Sequence, residues 1–244
     1  MKRILLIIII IFNIKLFAAD SFELVVNVPL GASLGIFNGE VESIGSEPQI
    51  NTKAGLDVGV NFQIGYMFAF DKFGLSVLAD LGYGYDSFKY SVYYSISAFG
   101  GSEEYNIENS LYMHSFQIGL LPKFNFEGFS LGIGGGVKIP FSGISENKTI
   151  KTINMFGYSI KSEENMKKNY KSSDYLSSVI GYFKFTFDYS FFFTSKLAFN
   201  LGAYFGYDIG LSYKGSKENY RIDSFDIGVQ IGLRFVPMLN KKTY

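Results

Sequence analysis

The chain has no cysteine and no tryptophan, 5 prolines and a single histidine. Without cysteine there are no disulfides, no thiolate metal sites and no acceptor for a lipid anchor at the end of a leader. One histidine leaves little for the usual acid–base and nucleophilic constellations. No sign of charge prevails, since 22 Lys and Arg balance 22 Asp and Glu. Nothing in that balance points to a nucleic-acid partner. Past residue 19 there is also no apolar run near the roughly 20 residues that a membrane-spanning helix needs.

What is present begins with an export signal. Lys2 and Arg3 precede an uninterrupted apolar stretch from Ile4 to Phe12, and Asn13-Ile14-Lys15 and the small pair Ala18-Ala19 follow. This is the pattern of a cleaved leader over residues 1–19, with Leu16 or Phe17 at the −3 position larger than the preferred residue. Exported but not lipidated, the mature chain is periplasmic, released or inserted in the outer membrane.

Period-two alternation decides among these. Successive side chains of a strand point to opposite faces, and a membrane barrel needs about ten residues alternating between lipid and lumen. Ala54, Leu56, Val58, Val60, Phe62, Ile64, Tyr66 and Phe68 share one face, against Gly55, Asp57, Gly59, Asn61, Gln63 and Gly65. A helical period would mix the two sets. Comparable segments open at Leu24, Leu75, Tyr112, Phe129, Val179, Leu197 and Phe225. The expected fold is all-β: an eight-stranded antiparallel up-and-down transmembrane β-barrel over residues 20–236, with a short periplasmic tail at 237–244. Ten strands is the alternative, if a long loop also crosses. Pro29 fits badly inside the first strand, which predicts a bulge there or a later start.

Short turns are expected near 70–74, 125–128 and 190–195, and long connections near 37–53, 86–110, 142–174 and 212–222. Barrels place short turns on the periplasmic side and long loops outside. Aromatics such as Phe68, Phe70 and Phe73 at one end, and Tyr83, Tyr85 and Tyr112 at the other, read as interfacial girdles.

Eight amphipathic strands, a Gly-rich lumen with Asp, Lys and Arg inside, and four long loops resemble the transmembrane domain of outer membrane protein A. The isoleucine-rich leader, the missing Cys and Trp, and the opening strand Leu24–Phe37 resemble the small outer-membrane barrels of Lyme-disease spirochaetes. The resemblance implies a surface-exposed barrel, in some relatives a binder of host complement regulators or matrix proteins. The chain departs from many such barrels at its end, where Phe235 is followed by nine more residues closing on Tyr244.

Three kinds of site follow. Inside the barrel, Asp57, Asp80, Lys138, Lys184, Asp188, Asp226 and Arg234 are expected to form lumen ion pairs, since an unpaired buried charge is costly; a narrow water path is the alternative. No catalytic, metal or cofactor site is expected. His114 falls on the lipid face, and Gly132-Ile133-Gly134-Gly135-Gly136 lacks the following helix that a dinucleotide site requires. Outside, Lys148, Lys151, Lys161, Lys167, Lys168, Lys171, Lys214, Lys217 and Arg221 form a candidate positive surface, diluted by Glu146, Glu163, Glu164 and Asp174. Glu40, Glu42, Glu47, Glu103, Glu104 and Glu108 make the first two loops acidic. Hydrophobic residues at 90–99 and 150–160 suggest hairpins extended above the membrane, with binding as a further use. The expected function is a non-enzymatic surface protein whose loops bind a host serum or extracellular-matrix protein. A narrow channel or a purely structural protein is the alternative.

Overall fold

The computed structural model describes residues 22–39, 45–70, 73–98, 100–169, 171–212 and 221–236. The leader and the 237–244 tail lie outside the described residues. Nine strands follow one another: β1 Phe22–Asn38, β2 Gln49–Ala69, β3 Gly74–Ala98, β4 Gly101–Phe126, β5 Phe129–Met155, β6 Tyr158–Asn169, β7 Ile180–Phe192, β8 Leu197–Ile209 and β9 Arg221–Phe235. All pairings are antiparallel, in the order β4-β3-β2-β1-β9-β8-β7-β5-β6, and a further pairing of β4 with β5 closes the ring. No described helix is long and apolar enough to cross a membrane.

Eight strands make the ring, and the ninth, β6, stands outside it. β5 pairs with β4 almost from end to end, but its other edge changes partner. Phe129 to Lys138 face β7, and Ile144 to Met155 face β6. The switch falls at Pro140-Phe141, where β5 carries one extra residue between Ser115↔Pro140 and His114↔Ser142. A bulge suits this point, because proline has no N–H to donate and the extra residue bends the strand.

Strands outrun the membrane on one side. β3 and β4 keep one register from Gly74↔Asn125 to Ala98↔Gly101. The membrane takes about twelve of those residues, up to Tyr85, and the other thirteen rise roughly 40 Å along the strand above it. The expected long loops at 86–110 and 142–174 are thus extended hairpins, and β2 to β6 continue upward as an open sheet.

The medium is visible in the burial. Large apolar side chains such as Ile133 (69%), Leu120 (60%) and Phe116 (54%) are exposed, while Asp80, Asp188 and Lys123 are 2% exposed or less. That inverts the pattern of a soluble domain. Only lipid outside a closed sheet makes it stable, because closure leaves no unpaired backbone in the hydrocarbon. The aromatic girdles are in place: Phe73 stacks on Phe70 and Phe124 below, and Tyr83, Tyr85, His114 and Phe141 cluster above.

Pro29 requires a correction. β1 begins at Phe22 and holds one register on both sides of the proline, with Asn27 opposite Asn61 and Leu30 opposite Val58. Neither a bulge nor a late start is used. The β1–β2 ladder instead goes without pairing at Val28 and Pro29, while the β9 side stays paired through Pro29↔Gln230.

One guanidinium ties the lower end together. Arg234 of β9 donates to Glu23 of β1 (2.9 Å), to Ser130 of β5 (2.8 Å), to Ser190 of β7 (3.1 Å) and to Asn125 of β4 (2.6 Å). Arg234→Met would strand the buried Glu23 carboxylate and lower unfolding free energy by about 3–5 kcal/mol. Adding Glu23→Leu should recover most of the loss. Urea unfolding of the barrel in lipid vesicles measures both.

Candidate functional site: the lumen and the exposed sheet

The inward positions of the barrel build a stack of charged layers. Above the Arg234 layer, Lys123 meets Asp188 at 2.7 Å, and Gln230 reaches the other oxygen of Asp188. Next, Asp80 accepts from Lys184 (2.9 Å), Tyr182 (3.0 Å) and Gln117 (2.5 Å) through one oxygen. The uppermost layer holds Lys138, bound to Asp86 (2.7 Å) and Asp208 (2.6 Å), with Asp226 beside it. Asp57 lines the same cavity and accepts from Tyr204 at 2.6 Å.

Glycine makes these layers possible. A Cβ on Gly119 would collide with the Tyr182 hydroxyl, and one on Gly31 or Gly228 would collide with Tyr204. The small residues leave room for two tyrosines that cross the lumen to reach Asp80 and Asp57.

Of the seven lumen residues named from sequence, Asp80 pairs with Lys184, while Asp188, Lys138 and Arg234 pair with partners outside that set. Asp57 has a tyrosine as its partner, and Asp226 makes no salt bridge among the described residues. Sequence reasoning left Glu23, Lys123, Asp86 and Asp208 out of the lumen ion pairs. The alternation carried that signal: Lys123 continues the parity of Ser115, Gln117 and Gly119, and Asp86 that of Asp80, Gly82 and Gly84.

Above the charged layers the inward face turns apolar. Phe88, Leu111, Met113, Ile180, Leu211 and Ile222 are buried in one cluster, together with Tyr175 from the segment after β6. Below this cap the cavity around Lys138 is about 40 Å³. That is room for a few atoms, not for a continuous water column.

His114 points outward. Its Nδ1 lies 2.6 Å from the Tyr83 hydroxyl, at the outer girdle. It therefore stands on the opposite face of the wall from the buried carboxylates.

The open sheet carries the exposed chemistry. β6 is exposed along its whole length, and among the described residues no strand pairs with its outer edge. Lys148, Lys161 and Lys167 share one face of the β5–β6 hairpin, and Lys151 and Lys168 the other, as the register dictates. Most are engaged by carboxylates: Lys148 with Glu163 (2.9 Å), Lys151 with Glu103 (2.8 Å), Lys167 with Glu146 (3.3 Å) and Lys168 with Asp174 (2.8 Å). Arg221 holds Asp223 through two bonds of 2.7 and 2.9 Å. Lys161 makes no ion pair among the described residues, and Lys171 is exposed. Glu40, Glu42, Lys214 and Lys217 lie outside the described residues.

The hairpin ends in a two-residue turn at Phe156-Gly157, both with positive φ (49° and 83°). Glycine takes that backbone readily and phenylalanine does not. The turn holds Phe156 and Tyr158 at 79% exposure each. Beside them a shallow groove of about 740 Å³ runs to the tip of the β3–β4 hairpin, lined by Ser97, Gly101, Ser102 and Asn154 among others.

No family model matches the chain, and no curated protein matches it. Solved structures do. The attachment invasion locus protein Ail of Yersinia pestis, solved with the heparin analogue sucrose octasulfate, is 11% identical over 88% of this chain and 99% of its own, with a TM-score of 0.31. The outer membrane protease OmpT of Escherichia coli is 11% identical over 89% and 97%, with a TM-score of 0.37. Neisserial surface protein A is 9% identical over 88% and 96%, with a TM-score of 0.29. Likeness this distant says nothing of ligand or activity, and the architecture stands on the pairing and burial above. The chain is a transmembrane β-barrel closed by eight antiparallel strands.

Two measurements follow. The filled and capped lumen should pass no sustained ion current when the refolded barrel is placed in planar bilayers, and steady discrete steps would overturn that. The hairpin should loosen in acid. Hydrogen bonds and charge from Lys151 and Tyr105 hold the Glu103 carboxyl below its ordinary range, Asn165 and Lys167 do the same for Glu146, and Lys168 for Asp174. A carboxyl lowered in the folded state stabilises above its unfolded pKa, and that stabilisation is lost as pH falls through the folded value. Hydrogen exchange in β6 should therefore rise below about pH 4, the ordinary carboxyl range, while the barrel amides stay protected.

Proposed function

We propose that the protein is a non-enzymatic surface receptor whose barrel is an anchor and whose open sheet binds a host serum or extracellular-matrix protein. The observation that carries this reading is the tip of the β5–β6 hairpin. Phe156 and Tyr158 stand in water at 79% exposure, next to Met155 and Ile160 at 46% and 64%. Solvent alone gives no reason to hold two aromatic rings there on a turn that phenylalanine disfavours. An apolar patch with a polar rim is the usual form of a protein-binding surface. Aromatic anchors of this kind carry most of the energy of such contacts.

The remaining lysines supply the rim. Lys161 and Lys171 are free to meet acidic groups, and the paired lysines become available when a partner's carboxylates compete with exposed salt bridges that contribute little. The filled lumen supports the non-channel reading, and His114 on the lipid side supports the non-enzymatic one. Kinship with the small barrels of Lyme-disease spirochaetes belongs to the same proposal. It rests on the leader and the opening strand.

The test compares three refolded barrels against an array of host serum and matrix proteins: the intact chain, a Phe156→Ser/Tyr158→Ser variant, and one in which residues 150–163 are replaced by an Asn-Gly turn. The intact chain should retain a partner. The serine pair should weaken it by ~30-fold or more, about 2 kcal/mol, and the shortened hairpin should abolish it. Retention that survives the shortening would move the binding surface elsewhere, and no retention by any of the three would sink the reading.

A further inference from the structure

The upper lumen layer is short of positive charge. Asp86, Asp208 and Asp226 are buried to 3% exposure or less, and each offers an oxygen within 4.8 Å of the others. One ammonium, Lys138, serves all three, and it is bound to Asp86 and Asp208. These three acids are left with two uncompensated negative charges, and Asp57 of the same cavity adds a third. Among the described residues, the other lysines of the lumen are engaged elsewhere. Lys184 is held by Asp80 at 2.9 Å and Lys123 by Asp188 at 2.7 Å.

A second observation is independent of the charge balance. The Oδ1 of Asp226 has no hydrogen-bond partner, although the residue is 3% exposed and lines the cavity. The hydroxyls of Ser33 and Ser224 lie next to this carboxylate, yet neither makes a bond of normal geometry. A buried carboxylate oxygen left without donor or ion is expensive.

We propose that Asp86, Asp208 and Asp226 hold a divalent cation in the lumen, beside Lys138. Three carboxylates, one ammonium and one such ion are together neutral, which leaves Asp57, hydrogen-bonded by Tyr204, as the one remaining negative charge of the cavity. The donors are all oxygen, with no imidazole or thiolate, which selects hard ions of the calcium, magnesium or manganese class. Oxygens within 4.8 Å of one another can share an ion at the ordinary calcium–oxygen distance of roughly 2.4 Å. The 40 Å³ cavity has room for the ion and a water. Asp57, held by Tyr204, lines the same cavity. Met113 and Phe88 roof this region of the barrel and the Asp80–Lys184–Tyr182 layer lies below, so the ion is captured on folding and exchanges slowly.

The full-length chain is refolded in detergent with Ca²⁺ or Mn²⁺ and desalted into chelator, and the retained metal is counted by mass spectrometry. One ion of either kind per barrel is expected. The Asp208→Asn/Asp226→Asn variant should retain at least ~10-fold less, while heat-modifiable migration shows that it is still folded. Fewer than about one ion in ten wild-type barrels, for both metals, would overturn the proposal, and so would equal retention by the variant, which would put the ion elsewhere. Thermal unfolding separates the rival explanation. A midpoint raised by the ion in the wild type and not in the variant supports the site. A midpoint indifferent to both ions but raised by acid would assign the neutralisation to protons and overturn it.

Discussion

A sheet in hydrocarbon cannot have a free edge. Each backbone N–H and C=O without a partner costs several kcal/mol where no water can reach it. The rest of this structure follows from that constraint and from its end at the membrane surface. Within lipid, β5 must join β4 to β7 or the ring stays open. Above the lipid the constraint lapses, so β5 is free to release β7 and take β6, whose outer edge needs no described strand beside it. The bulge at Pro140-Phe141 marks where one rule gives way to the other.

The interior answers a second demand. Residues facing the lumen are excluded from both lipid and bulk water, so the charged side chains that fill it need partners from across the ring. The lower layers meet this with Arg234, Lys123 and Lys184, each on its own carboxylate. The long cross-lumen reach of Tyr182 and Tyr204 then exists because glycines on the facing strands give way. Charge and size are solved together, layer by layer, and only the layer of Lys138 is left acidic.

Much of this was legible in the chain. Alternation over Ala54–Phe68 gave the β2 faces, and the same pattern elsewhere gave the count of eight ring strands, because one face meets lipid and the other does not. The aromatic girdles and the short turns near 70–74 and 125–128 followed from the same logic. Three things were not legible. The lumen partners depend on which residues meet across the ring, and register around a closed sheet is a property of all eight strands. Glu23 and Lys123 lie near the strand ends, where alternation is shortest, and Asp86 was assigned to a loop because apolar residues stop marking the outer face there. The misfit of Pro29 was visible, but not its solution. A missing donor in one ladder is tolerated when the strand is held on its other side by β9 and the register never shifts. The hairpins were legible as apolar loop content, but β6 as a separate strand was not, since the adjacent charges at Glu163-Glu164 and Lys167-Lys168 break any apolar–polar alternation.

The exchange of partners along β5 divides the molecule into two parts with different tolerance for change. An insertion in the ring shears the register of every neighbour around the circumference. One in β5–β6 above Ile144 meets only the ladder between them and the first part of β4, Gly101 to Tyr112. Lengthening both arms by two residues each would raise the tip by roughly 7 Å along the strand and leave every face as it was. Lengthening each by one would turn the same side chains to the opposite side. The projecting arm can thus be re-cut in length or in facing while the wall beneath it keeps its dimensions, so what the surface shows and how it is moored can diverge independently.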